Sequence, residues 1–484
     1  MIIGRPWTAQ DAEFPRQAMG QSNQRFGEDL GVATTTVARW RANPTRRINK
    51  DNRDLLDTAL HSTDPDIRQR FALLLETVDW QGHLCSVAPR EGAVRGIVGD
   101  SVEQLDEPWT APTVLRAVQA LAESDVMDRR GFLTLAGGYL TAAAHQWLLE
   151  RPGGDLTRHG SLRVHAGAVE VIDSITAGLR RVDDSHGGSA AALTSQLYAH
   201  LRTVIELLTA GSYDDSTGKR LYASAAELAR LRGWTAFESG DHGMAQRCWI
   251  AALHAADASG DRALGANIVG FMSCLAKDVA PHRSTAVTLA ETALTGYRGA
   301  SPRVTAILHL RTAEAYATAR DRRRCHAALD AAFNALDNNG VSPDWSYWIN
   351  PAQAHAQAGF CHLRLGETDP ARHHLTQALA LSPETDQRET ALRHTLLTAA
   401  WLHPRQPNLE LALHHGDEAL SLLTDTVSST RCAHQLAAVV SAAHHHHHRE
   451  PSLRRLHDRT RQVLRNPQQF PTEARVGTRG RGTR

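Results

Sequence analysis

Residues 227–273 run ELARLRGWTAFESGDHGMAQRCWIAALHAADASGDRALGANIVGFMS, and their reading decides the fold. Gly233 puts a small residue inside one amphipathic segment, and Gly240 marks a break. Ala245 is then followed by Ala252 seven residues on and by Leu253 eight on. This spacing describes two helices packed closely through small residues and joined by a tight turn.

The signature recurs at Ala286, Ala293 and Leu294, at Cys325, Ala332 and Phe333, at Ala371, Ala378 and Leu379, and at Ala412, Ala419 and Leu420. Successive first anchors lie 41, 39, 46 and 41 residues apart. Gly359 repeats the small site, Tyr316 supplies an aromatic one, Gly366 falls in a turn, and Pro383 ends a repeat. A helix hairpin buries its apolar face only against the next hairpin. Five phased blocks therefore predict a tetratricopeptide-like helix-hairpin solenoid over 226–440. Its period exceeds the usual repeat by about one to three helical turns, so the linking segments are longer. The first helices of such a stack line a groove. The expected groove residues are Arg230, Trp234, Phe237, Asn267, Phe271 and Glu314, with Asn pairing to a peptide backbone and aromatic residues meeting its side chains.

Upstream, NQRFGEDLGVATTTVARWRAN at 23–43 places Phe26, Leu30, Val32, Val37 and Trp40 at the buried offsets of two short helices. Gly27 allows a close crossing, Gly31 suits the positive φ that ends the first helix, and Thr34 is placed to cap the second. This is a helix-turn-helix pattern, and it predicts binding to double-stranded DNA. Thr34, Thr35, Thr36 and Arg39 face away from the small core, with Arg39 the strongest base contact, while Arg41, Arg46, Arg47 and Lys50 suit phosphate contacts. Between Arg16 and Lys50 there are seven basic residues against two acidic ones. A single unit of this size reads few base pairs, so a homodimer is expected.

The remaining organisation follows from breakers and charge. Residues 1–20 read as a flexible arm and 21–80 as the DNA-binding domain, with further helices around Leu55, Leu56, Ala59, Leu60, Ile67, Phe71, Leu74 and Leu75. Residues 81–126, with several Pro and Gly, read as a linker, and 127–225 as a helical connecting region. The segment DRRGFL at 128–133, with Met127 before it, is similar to a twin-arginine export signal and leaves open an exported repeat protein starting there. Residues 441–484 read as a His run and a largely disordered basic tail. His444 to His448 suit either a transition metal or a solvent-facing expansion.

Net charge is +1 over 484 residues, with 42% hydrophobic and 5% aromatic residues, which excludes a globally basic protein and favours an all-α fold. Six dispersed cysteines without CxxC read as reduced buried thiols. No run is long and apolar enough for a bilayer, and no leader pattern follows Met1, so no membrane association and a cytoplasmic location are expected. No phosphate loop, GxSxG or HExxH occurs, so neither an enzyme, a cofactor nor a metal site is expected.

The segments FGEDLGVATTTVARW at 26–40, DRRGFLTLAGGYLTAAAHQWL at 128–148 and the opening stretch resemble actinobacterial, Streptomyces-like Xre-type helix-turn-helix regulators with C-terminal tetratricopeptide repeats. The resemblance implies a transcriptional regulator whose repeats sense a ligand, peptide or protein partner, and it makes 128–148 an internal helix. Two departures from that family stand out. Gly27 replaces the commoner Ala, and WRANPTRRINKDN at 40–52 replaces the usual Trp-Glu-x-Gly. The alternative is a repeat scaffold whose N-terminal domain no longer binds DNA.

Overall fold

The computed structural model describes Ala12 and residues 23–42, 48–52, 55–56, 59, 110–123, 137–149, 154–186, 191–279, 283–403, 407–446 and 450–464. The described chain is all-helical apart from two short paired strands. It divides into two compact units, Met1–Leu84 and Cys85–Arg484.

In the first unit, α1 (Asn23–Leu30) and α2 (Thr34–Ala42) bury Phe26, Leu30, Val37 and Trp40. Gly31 has φ +69°, and the Val32 amide donates to the Gly27 carbonyl at 2.9 Å while Gly31 donates to Glu28 at 3.1 Å. These two bonds end α1 in a left-handed glycine cap. A Cβ on Gly27 would lie 2.9 Å from the Val32 carbonyl oxygen, so the close approach here requires glycine. The second helix starts one residue earlier than the sequence suggests. Ala33, whose carbonyl accepts from Thr36 and Val37, holds the cap position and Thr34 the first helical one. Ile48 and Leu56 are also buried, whereas Leu60 and residues 67–75 lie outside the described residues.

The second unit opens with α3 (Ala111–Glu123), α4 (Gly137–Leu149), α5 (Ala166–His186) and α6 (Ala191–Ala210). Strand β1 (Leu162–Arg163) pairs parallel with β2 (Gly211–Ser212). Helix α3 falls where the sequence reading puts a linker. Val114, Val118 and Leu121 recur at helical spacing and are buried, which makes it a packed element. In α4, Leu140, Ala143, Ala144 and Trp147 are buried, so this apolar helix after the twin-arginine pair belongs to the core. Residues 124–136 lie outside the described residues.

Six antiparallel hairpins follow. They are α7 (Asp215–Glu238) with α8 (His242–Ser259), α9 (Arg262–Val279) with α10 (Arg283–Gly296), and α11 (Pro302–Ala319) with α12 (Arg322–Leu336). Next come α13 (Pro351–Leu365) with α14 (Thr368–Ala380), α15 (Gln387–Trp401) with α16 (Leu409–Asp425), and α17 (Thr430–His446) with α18 (Pro451–Leu464). Each first helix packs on the first helix of the next hairpin, and α7 also meets α17, so the stack curves back to its own start. Gly240 and Gly366 take φ +85° and +76° in the intra-hairpin turns, where αL geometry is cheap only for glycine. Asp241 and Asp321 then cap α8 and α12 through the Met244 and Arg324 amides. Helix α18 stands where a disordered tail is expected. Arg-rich composition hides a buried face of Leu453, Leu456 and Thr460 that packs it against α17 and α16. Residues 465–484 lie outside the described residues.

Small residues set how closely each pair packs. A Cβ on Gly233 would lie 2.4 Å from Trp249 Nε1, and one on Gly359 2.5 Å from Leu375 Cγ. Gly→Ala in a helix interior ordinarily gains about 1 kcal/mol. At Gly233 the overlap with a fully buried indole, which donates to the Arg230 carbonyl at 3.1 Å, outweighs that gain. Gly233→Ala is expected to destabilise by about 2 kcal/mol net. A urea melt in which the variant matches or exceeds the parent would refute this packing.

Candidate functional site

The exposed face of α2 carries Thr34 and Thr35, with Thr36 half-buried and Arg39 exposed. Lys50 is exposed as well. The Arg41 side chain and all of Arg46 and Arg47 lie outside the described residues. Arg25 pairs with Asp29 on α1 at 3.5 Å, leaving the α2 face free of acidic residues of its own.

The second candidate site is the inner side of the hairpin stack. Arg230, Phe237, Asn267, Phe271 and Glu314 are buried there and Trp234 is half-buried. The rings form one aromatic cluster, with Trp234 5.6 Å from Phe237 and 5.4 Å from Phe271. Four guanidinium groups lie over it: Arg230 and Arg311 each 5.5 Å from Phe271, and Arg388 and Arg431 5.4 and 5.5 Å from Trp234. Burial in a low dielectric makes such contacts worth more than at a surface.

Ion pairs within α11, between hairpins and to α5 satisfy most of this charge. Glu314 accepts from Lys277 at 2.5 Å and from Arg311 at 3.4 Å. The two cations hold its carboxyl below the usual range although burial pushes it up. Asp183, from the C-terminal turn of α5, pairs with Arg388 at 3.0 Å, and Asp184 accepts from the Tyr347 hydroxyl. Arg180 of the same turn donates to Glu227 and Asp344. Helix α5 thus occupies the inner side, where the sequence reading has only a connecting region. Burial raises the Asp183 carboxyl to about 6, partly opposed by Arg388.

Not every buried polar group is matched. Among the described residues, Asn267 Nδ2, Gln357 Oε1 and Arg230 Nε have no hydrogen-bond partner. Groups of this kind in native proteins ask for a water, an ion or a ligand. Asn267 was accessible to sequence reasoning because it lies on the inner face of a first helix. Arg230 was accessible in the same way, whereas Arg388 and Arg431 were not, since their partners Asp183 and Glu238 lie far away in the sequence.

A third cluster escaped sequence reasoning altogether. His326 of α12, His362 of α13 and Glu367 at the start of α14 place ligand-capable atoms within 4.8 Å of one another. His326 stands 36 residues before His362, so no short spacing announces the three together. Two further imidazole pairs join the helices of single hairpins, His355 Nδ1 to His374 Nδ1 at 2.9 Å and His394 Nδ1 to His415 Nδ1 at 3.0 Å. The five described cysteines, Cys248, Cys274, Cys325, Cys361 and Cys432, are buried and unbridged. No helix among the described residues is long and apolar enough to cross a membrane. No protein-family model, no curated protein and no solved structure matches this chain.

Proposed function

We propose that the chain is a DNA-binding transcriptional regulator whose N-terminal unit is a helix-turn-helix domain and whose hairpin stack is a tetratricopeptide-like sensor. The observation that carries this reading is the outer face of α2. There Thr34, Thr35 and Arg39 are exposed over a core of Phe26, Leu30, Val37 and Trp40, behind a glycine-capped turn. Such a helix offers short hydroxyls and one guanidinium to base edges in a major groove. Arg41, Arg46, Arg47 and Lys50 would clamp phosphates. A homodimer would read two half-sites from the cytoplasm.

The sensing role rests on the inner side of the stack. The clustered aromatic rings, the arginines over them and the unmatched Asn267 and Gln357 amides suit a ligand, peptide or protein segment with both planar and polar groups. Ligand binding there would act on the ion pairs that tie α5 to α7 and α15.

The test is a genomic DNA pull-down and sequencing with the purified full chain at moderate salt, beside Arg39→Ala. Discrete peaks are expected for the parent. Loss of one bidentate base contact should weaken specific binding by about 1–3 kcal/mol, or roughly 5- to 150-fold, and flatten those peaks. Absence of enrichment for the parent would move the weight to a repeat scaffold without DNA binding.

A further inference from the structure

Within the hairpins, the turn has a repeated design at three places: a residue in the left-handed conformation followed by an acidic one. These are Gly240-Asp241, Arg320-Asp321 and Gly366-Glu367. In the first two, the aspartate caps the following helix by accepting from the amide three residues on. Glu367 holds the same position before α14, yet its side chain makes no cap bond. It turns instead to the neighbouring hairpin. Its Oε2 lies 2.9 Å from His326 Nε2 and 2.6 Å from His362 Nδ1, and Arg322 Nε holds Oε1 at 2.9 Å. The longer side chain thus forgoes a cap worth about 1 kcal/mol to bring one oxygen between two imidazoles.

We propose that His326, His362 and Glu367 form a binding site for a borderline divalent transition-metal cation of the Zn2+ class. Two imidazole nitrogens and one carboxylate oxygen are the donors such ions favour, whereas Mg2+ and Ca2+ prefer oxygen. Both nitrogens converge on the same oxygen, so one ion can replace the two N–H protons that the carboxylate now accepts. A neutral ring keeps its proton by moving it to the opposite nitrogen. Tetrahedral coordination at about 2.1 Å separates donor atoms to about 3.4 Å, so the two contacts open by about 0.5 and 0.8 Å. Arg322 on the second oxygen would orient the carboxylate, the usual task of a partner beyond the ligands themselves. His326 is 40% exposed, which leaves a path for the ion and a free position for water. His326 belongs to the third hairpin and the other two ligands to the fourth, so a bound ion staples adjacent repeats.

The test is a Zn2+ titration of the full chain against a chromophoric chelator, with Co2+ absorption as an independent readout. The parent should bind one tight equivalent. His326→Ala should weaken that equivalent by more than about 100-fold. Glu367→Asp separates metal binding from folding. Its shorter carboxylate should take up the cap seen at Asp241 and Asp321, keeping or raising Tm while the tight equivalent is lost. Retention of the tight equivalent in both variants would place the ion elsewhere, as in the run His444 to His448, and overturn the proposal. So would a parent that binds Zn2+ no more tightly than His326→Ala.

Discussion

Between pH 7 and pH 5 the hairpin stack should lose about 3 kcal/mol of stability, a fall in Tm of roughly 6 °C. His254 is 2% exposed, and burial lowers its pKa to about 4. Burial also takes His374, His394 and His415 to about 4, reinforced by neighbouring histidines. In the pairs His355–His374 and His394–His415, one ring must present a bare nitrogen to the N–H of the other, so the two rings of a pair cannot both be charged. In the unfolded chain each imidazole accepts a proton near 6.5. The unfolded state therefore binds more protons across the window from 6.5 down to 4, and stability is lost as pH falls through it. Four fully shielded groups would remove about 8 kcal/mol by pH 5. The three half-exposed ones are solvent-screened, which brings the sum to about half. Asp183, raised to about 6, works the other way and returns about 1 kcal/mol over the same range. Asp184, Glu227, Asp261 and Asp386 are raised too, and their protonation favours the fold at the acid end. Thermal melts from pH 7 to 5 provide the check, beside a His394→Asn, His415→Asn double variant. The double variant should lose only about half as much. An unchanged Tm at pH 5 would show that these rings take up protons in the fold.

The all-helical fold was legible because small and apolar residues recur in phase. Ala245, Ala286, Cys325, Ala371 and Ala412 each fall on the second helix of a hairpin, and all five are buried. Those positions answer to local periodicity, which a single sequence displays. The sixth hairpin was not legible. The His run and the Arg-rich segment after it obscure the short apolar face of Leu453 and Leu456. Charge partners were hidden for a different reason. Asp183 meets Arg388 across 205 residues and Ser429 meets Glu238 across 191, and no pattern within a repeat encodes a contact between its ends. The same holds for Glu367. Its departure from aspartate at the turn is visible in the sequence, but its two imidazoles become partners only when the third and fourth hairpins stack.

Arg431→Ala should be the most destabilising single change in the stack, by about 3–5 kcal/mol. Glu238 ends α7 and is fully buried, 0% exposed. It accepts from Arg431 at 2.7 Å and from the Ser429 hydroxyl at 2.5 Å, and both residues stand at the start of α17. The guanidinium also lies 5.5 Å from the Trp234 ring and 5.6 Å from Phe237, so it joins the ion pair to the aromatic cluster. Nearby carboxylates, Glu238 foremost, outweigh burial and hold Arg431 firmly in its charged form. Removing the cation leaves a desolvated carboxylate held by the Ser429 hydroxyl and the more distant charge of Arg388, which costs far more than the pair itself contributes. Replacing both charges at once tests that asymmetry. Glu238→Gln with Arg431→Met keeps the volume, removes both charges and should recover more than half of the loss. Urea melts give the size of the effect, and limited proteolysis gives its place. Because this pair joins the first hairpin to the sixth, Arg431→Ala should expose cleavage sites in α17 and α18 before any in α9 to α14. A loss below about 1 kcal/mol, or cleavage spread evenly along the stack, would mean that the ring holds without this latch.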